Sequence, residues 1–163
     1  MTSIELFLFN TIFWVLVHFL SGYLSHFIPT KFYNKDKFLF KKRFWEFDGN
    51  LYSSLFLIKR WKDKMPEAGE FFKIHPFSKK HLVSLDKNYL ERFSLETCRA
   101  EVSHLLPILL CPISFFWNNT TGIFIMSLYA VLANFPFIII QRYNRIRLVK
   151  LLVRLNGRNL KNQ

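Results

Sequence analysis

The sequence lacks charge over a long central run: residues 102–141 contain no Lys, Arg, Asp or Glu. The one extended polar break in this run lies at residues 118–122, where short polar side chains and a glycine indicate a turn. A helix needs about twenty apolar residues to cross a membrane. The run therefore predicts two membrane passes joined by a tight turn, so that both of its ends return to the same face of the membrane.

Basic residues are also absent from two places, the segment before Lys31 and the 118–122 turn. All 23 Lys and Arg residues lie at 31–99 or 142–161, although the net charge is +12. Basic residues collect on the cytoplasmic side of membrane proteins, so this segregation predicts topology. It argues against nucleic acid as a partner and favours anionic lipid headgroups.

The motifs of familiar soluble enzymes are missing as well. The two cysteines, Cys98 and Cys111, have neither the spacing of a zinc site nor the pattern of a disulfide framework. The sequence has no Gly-rich phosphate loop, nucleophile elbow or metal-binding helix motif. We therefore expect no metal ion and no bound cofactor.

What remains predicts an all-α integral membrane protein that forms a single domain over residues 1–163. The apolar segments give three transmembrane helices at about residues 4–28, 102–117 and 122–141. The first is interpreted as a retained span because no basic region precedes it and no small-residue cleavage site follows it. With the N-terminus outside, this arrangement places every Lys and Arg, and the C-terminus, on the cytoplasmic side.

The regions between and after the spans predict interfacial amphipathic helices. Residues 29–101 mix basic and aromatic side chains, as is typical of the headgroup zone. Asp48 is a candidate N-cap for a membrane-surface helix that extends to about Lys64, and Asp86 or Ser84 could cap a helix over 87–101. The basic tail at 142–163 is predicted to be amphipathic and to rest on the inner surface of the membrane.

Glu101 and His104 are three residues apart, which places them on one side of a helix at the mouth of the second span. A histidine beside a carboxylate has the parts of a general base and the group that orients it. A salt-bridge cluster that anchors the helix is the alternative interpretation.

The third span carries a second polar group. Asn134 and Gln141 are two helical turns apart and share a face, which residue Arg145 extends. Buried amides tend to face the protein interior, and Arg guanidinium groups suit phosphate. Helix–helix hydrogen bonding and a plain cytoplasmic anchor are the structural alternatives.

Four sequence runs resemble the CrtO-type glycosyl-4,4'-diaponeurosporenoate acyltransferase family. They are WKDKMPEAG at 61–69, FSKKHL at 77–82, ETCRAE at 96–101 with His104, and Ala133-Asn134 followed by QRYNR at 141–145. The resemblance covers about residues 50–155. It implies a multi-pass enzyme of the bacterial plasma membrane that transfers a fatty acyl group to the sugar of a glycosylated lipid or carotenoid.

This resemblance implies roles for the polar residues. We expect His104 to act as the base and Glu101 to orient it, with an acyl donor such as acyl-coenzyme A as co-substrate and a lipid-linked acceptor as partner. An acyl-enzyme on Cys98 is the alternative to direct transfer. The predicted substrate-binding residues are Arg99, Glu96, Asn134, Gln141, Arg142, Tyr143, Asn144, Arg145, Lys62, Lys80 and His81. The alternative functions are a non-enzymatic membrane scaffold or lipid-binding protein, and a lipid-modifying transferase that uses another donor.

Overall fold

The computed structural model describes residues 2–66, 77 and 82–159, with side chains through residue 157. Over these residues every regular element is an α-helix or a short 3-10 turn. Three of the helices are long and apolar enough to cross a membrane. The predicted all-α membrane fold with about three spans is therefore confirmed.

The first long helix, α1, spans Ser3–Ser25. It begins with a capping box: the Thr2 hydroxyl accepts a hydrogen bond from the Glu5 N–H at 3.3 Å, and the Glu5 carboxylate accepts one from the Thr2 N–H at 2.9 Å. Large apolar side chains remain exposed along most of α1. A helix that is apolar on nearly all sides is expected to face lipid.

The segment predicted to form one helix from Asp48 to about Lys64 is broken, so that prediction is wrong. It contains a short helix, α2, at Asn50–Ser54, with 3-10 turns at Phe44–Gly49, Ile58–Arg60 and Lys62–Lys64. Residues Phe47, Asp48 and Gly49 all have positive φ, which no α-helix permits. Asp48 caps nothing and instead pairs with the Lys42 ammonium. A Cβ on Gly49 would lie 3.6 Å from Tyr143 and Ile146, so this bend brings the backbone close to another helix.

The second long helix, α3, spans Lys87–Leu110, and the Asp86 carboxylate caps it by accepting from the Tyr89 N–H at 3.2 Å. It continues without a break from the predicted interfacial segment 87–101 into the predicted span, passing Pro107. From Cys111 to Phe116 the chain tightens into a 3-10 turn with a proline near its start. The second membrane pass is therefore the C-terminal part of a longer helix, and Glu101 and His104 both lie on that helix.

The third long helix, α4, is a single element over Thr120–Asn159, about 60 Å long at 1.5 Å per residue. This length is about twice the hydrocarbon thickness of a bilayer. The tail at 142–163 was predicted to rest on the membrane surface. Its apolar side chains Leu148 and Leu152 pack with Leu90 and Phe93 of α3 in one buried cluster, and its position on the membrane surface stays a prediction.

Two asparagines join α1 to the turn between α3 and α4. Asn10 and Asn118 exchange reciprocal amide hydrogen bonds of 2.9 Å, and both side chains are buried. The Trp117 indole N–H also donates to the Asn10 carbonyl oxygen at 2.9 Å. Because buried amides need partners, this contact fixes the position of α1 against the other two spans.

Candidate functional site

Two arginines of α4 meet two glutamates in a buried ion network. Arg142 donates from Nε to Glu46 at 2.8 Å and from Nη1 to Glu101 at 3.0 Å. Arg145 donates from Nη2 to the other oxygen of Glu101. Both glutamates and Arg145 are almost fully buried. The network ties α3, α4 and the loop before α2 together near the end of the membrane-spanning part of the fold.

The same arginines also bind the backbone of the loop. Arg142 donates to the carbonyl oxygens of Leu39 and Lys41 at 3.1 and 3.2 Å, and Arg145 donates from Nε to the Phe40 carbonyl at 3.1 Å. These contacts occupy most of the guanidinium donors. The prediction that both arginines bind substrate remains untested, but the geometry gives them a structural role.

Glu46 is held as a carboxylate. Burial alone would raise its pKa, but hydrogen bonds from Arg142, the Arg43 backbone N–H and the Tyr52 hydroxyl outweigh burial and lower the pKa below its ordinary value. The Tyr52 hydroxyl donates to Glu46 at 2.5 Å. Neither Glu46 nor Tyr52 was predicted from the sequence as a site residue. The available signal was a single carboxylate in the otherwise basic and aromatic stretch 37–47.

His104 lies between α3 and α4 and contacts Asn134. Its Nδ1 is 3.1 Å from the Asn134 Oδ1, and its ring stacks on Phe137 with a centroid distance of 4.6 Å and an interplanar angle of 7°. The Asn134 amide nitrogen donates to the Ala130 carbonyl at 2.9 Å, which fixes the amide orientation. The Asn134 oxygen therefore faces the ring, and because an amide oxygen only accepts, this contact is a hydrogen bond in the tautomer that carries the His104 proton on Nδ1.

Glu101 lies one turn from His104 on α3, as the spacing indicated, but both of its oxygens accept hydrogen bonds from Arg142 and Arg145. The group seen to orient the imidazole is the Asn134 amide. The predicted pairing of Glu101 with His104 is therefore replaced by two pairings, Glu101 with the arginines and His104 with Asn134.

Arg99 and Glu96 form a third buried pair on α3. Arg99 donates from Nη1 to Glu96, and its guanidinium lies over the Tyr33 ring with Cζ 5.3 Å from the ring centroid. The Tyr33 hydroxyl donates to the Ser25 carbonyl at the end of α1, and burial raises its pKa to about 12. Arg99 is only 2% exposed.

The other predicted binding residues are more dispersed. Gln141 and Tyr143 are buried and Asn144 is half-buried, all on α4 beside the ion network. Tyr143 packs edge-on against Tyr52, whereas Lys62 pairs with its neighbour Asp63 in a separate 3-10 turn. Lys80 and His81 lie outside the described residues. Within the described part of the chain, no three His, Cys, Asp or Glu side chains form a cluster of the kind that holds a metal ion.

Three long apolar helices, with buried ion pairs and a half-buried histidine where α3 meets α4, define an integral membrane protein with a polar centre. Buried ionisable groups of this kind mark functional sites in membrane proteins. Comparison with known proteins identifies the class more closely.

The family model for glycosyl-4,4'-diaponeurosporenoate acyltransferase matches residues 29–154. Similar proteins include the glycosyl-4,4'-diaponeurosporenoate acyltransferases of Staphylococcus aureus strains N315 and USA300, each 32% identical over 145 residues, which is 88% of this chain and 86% of theirs. The protein of the same name from the bovine strain RF122 / ET3-1 is 31% identical over the same shares. No solved structure matches significantly. The chain belongs to the CrtO-type acyltransferase family, and it is an acyltransferase.

Proposed function

We propose that this protein transfers a fatty acyl group from an activated donor to a hydroxyl of a glycosylated lipid or carotenoid at the cytoplasmic side of the bacterial plasma membrane. The names of its relatives supply the acceptor class. The single observation that carries the mechanism is the hydrogen bond between His104 Nδ1 and Asn134 Oδ1. Asn134 cannot flip its amide without losing the hydrogen bond that it donates to the Ala130 carbonyl.

Acylating a hydroxyl requires a base that removes the proton as the oxygen attacks the acyl carbonyl. In the proposed step, His104 Nε2 takes the proton of the acceptor hydroxyl, while Asn134 holds the Nδ1–H and steadies the imidazolium that forms. The imidazolium then returns the proton to the leaving group of the donor as the tetrahedral intermediate collapses. Stacking on Phe137 keeps the ring plane fixed during both transfers.

Direct transfer is preferred to a covalent acyl-enzyme because of the position of Cys98. Its side chain is fully buried in an apolar cluster with Tyr33, Phe40 and Val102. A buried apolar surrounding disfavours the thiolate, which is the nucleophilic form of cysteine. The acceptor hydroxyl itself is therefore proposed as the nucleophile.

Gln141 is the proposed contact to the acceptor sugar. Its side chain is 7% exposed, and its Oε1 has no hydrogen-bond partner among the described residues. A buried amide oxygen without a partner costs free energy unless a ligand supplies a donor, and a sugar hydroxyl does so. Gln141 lies seven residues beyond Asn134 on α4, about 10 Å along the axis, which is within the reach of a monosaccharide and its linkage.

Mass spectrometry of membrane lipids tests this function in a deletion strain complemented with the wild-type chain, His104→Gln or His18→Gln. His18 is a matched control, because it is a histidine within a span whose Nε2 contacts Tyr129 at 3.3 Å. We expect the wild type and His18→Gln to restore an acylated glycolipid and His104→Gln not to restore it. Restoration by His104→Gln at equal membrane abundance would contradict the mechanism. A deletion strain that lacks a different headgroup modification would instead point to another transferase reaction.

A further inference from the structure

Arg99 has an unused hydrogen-bonding edge in the interior of the protein. Its Nη1 donates to Glu96, but Nε and Nη2 make no hydrogen bond of good geometry among the described residues. The Tyr33 hydroxyl interacts with the guanidinium, but it donates its own proton to the Ser25 carbonyl. Buried donors are paired in the great majority of cases, so an unpaired group calls for an explanation. For a charged donor, the lost hydrogen bond is especially costly.

The two unpaired nitrogens lie on the same edge of the guanidinium. Nε–H and one Nη2–H point in parallel, and this edge forms the bidentate fork that binds two oxygens of a phosphate or carboxylate. Glu96 takes Nη1, which lies at the opposite side of the group. The side chain thus keeps its fork intact while its charge is held in place by Glu96 and by the face of Tyr33.

The other two buried arginines do not offer this edge. Nε of Arg142 binds Glu46, and Nε of Arg145 binds the Phe40 carbonyl. In each case the Nε side of the guanidinium is already engaged within the protein. Arg145 keeps an unpaired Nη1, but among these three arginines only Arg99 has both nitrogens of the Nε/Nη2 edge without a hydrogen bond among the described residues.

Arg99 is also well placed relative to the proposed base. It lies five residues before His104 on α3, about 7.5 Å along the helix axis. It belongs to the basic part of the chain at 31–99, where a positive field attracts anionic ligands. Five residues also turn about 140° around the helix, so a donor whose phosphate binds at Arg99 must reach around α3 to bring its acyl group to His104.

We infer that the Nε/Nη2 edge of Arg99 binds a phosphate group of the acyl donor. This inference rests on the proposed function. The phosphate belongs either to acyl-coenzyme A or to a phospholipid that donates one of its chains. Arg99 acts as a binding residue that sets the position of the donor carbonyl. Because Nε and Nη2 of Arg99 are buried, the turn that carries Tyr33 must shift to admit the ligand.

The test is equilibrium binding to the purified full chain in a non-ionic maltoside detergent, which contains no phosphate. The probes are palmitoyl-coenzyme A and fluorescent phosphatidylglycerol, and the variants are Arg99→Lys and, as an exposed control on α4, Arg154→Lys. Lysine keeps the charge but has no planar fork. Since a hydrogen bond to a charged group is worth about 1.5–3 kcal/mol, Arg99→Lys should weaken binding of the true donor on the order of tenfold to a hundredfold. Arg154→Lys should bind as the wild type does.

The probe whose affinity falls identifies the source of the phosphate. Unchanged binding of both probes by folded Arg99→Lys, or no binding of either probe by the wild type, would overturn the inference. Glu96→Gln is the second variant, because it keeps the arginine and removes a neighbouring negative charge. Its affinity for the donor probe should equal or exceed that of the wild type, and a weaker affinity would contradict the assignment. His104→Gln should bind the donor normally. Arg99-dependent donor binding by a wild-type protein that transfers no acyl group would refute the proposed function and leave this site standing.

Discussion

Glu101→Gln should strongly destabilise the protein, because Glu101 accepts hydrogen bonds from two buried arginines. One of its oxygens is 3.0 Å from Arg142 Nη1, the other contacts Arg145 Nη2, and the Glu101 side chain is 2% exposed. Glutamine keeps one acceptor oxygen but removes the charge and turns a second acceptor into a donor that faces a guanidinium. The Arg145 charge would keep the Phe40 carbonyl and the face of the Phe40 ring, but it would lose its carboxylate partner.

The expected loss follows from those two contacts. Each charge-assisted hydrogen bond contributes about 1.5–3 kcal/mol, and removing one partner of a buried ion pair typically costs about 3–5 kcal/mol. We therefore expect the free energy of unfolding to fall by about 3 kcal/mol or more, with the remaining glutamine oxygen keeping the effect at the lower end of the range.

Reversible unfolding in mixed detergent micelles, followed by tryptophan fluorescence, measures this difference. Asp63→Asn is the control, because Asp63 pairs with Lys62 but is 59% exposed, and exposed pairs contribute about 0–1 kcal/mol. A loss below about 1 kcal/mol for Glu101→Gln would show that the network is not a structural element of the fold. The arginines would then be available for substrate, as the sequence alone suggested.

Three further predictions concern the Glu46 carboxylate, the contact between Asn10 and Asn118, and the topology. Glu46 has a lowered pKa in the folded state, so it stabilises the fold above its ordinary pKa of 4.5, and this stabilisation is lost as the pH falls through the lower folded pKa. When unfolding is measured from pH 6 downward, the unfolding midpoint should therefore begin to fall once the pH is below about 4.5. The decrease should be smaller in Glu46→Gln. Asn10→Leu removes the partner of the Asn118 amide and should destabilise the fold by about 1–3 kcal/mol in the same unfolding assay, whereas Thr11→Val, next to it on the exposed side of α1, should have little effect. A reporter enzyme fused after Gln163 should be active only in the cytoplasm, because basic residues collect on the cytoplasmic side of membrane proteins and the C-terminal region is basic. Activity outside the cytoplasm would reverse the predicted topology.

The spans were predictable from sequence because the forces that set them are local in composition. A charge-free run of forty residues has few options other than crossing the membrane, and the Asp86 cap follows from a short-range hydrogen bond. The grouping of Glu101, Arg142 and Arg145 near one end of the fold was also predictable, because the turn at 118–122 brings the two ends of the charge-free run back to the same side.

The partners within the site were not predictable because they depend on contacts distant in sequence. Glu46 pairs with Arg142, which lies 96 residues away in the sequence, so no pattern local to either residue indicates this pair. His104 pairs with Asn134 across 30 residues rather than with the carboxylate one turn away, because α4 presents two guanidinium groups to Glu101. The positive φ values at Phe47 and Asp48 likewise accompany close packing of Gly49 on α4, which helix propensity cannot reveal.

The central claim is that His104, oriented by Asn134, removes the proton of the acceptor hydroxyl. The most direct test is the initial rate of transfer of a labelled acyl group to a glycolipid by purified protein, compared between the wild type and His104→Gln at saturating donor. A general base contributes about 10²–10⁴-fold, so the account predicts that the rate falls by at least about a hundredfold while donor binding is unchanged. A His104→Gln rate equal to that of the wild type would contradict it.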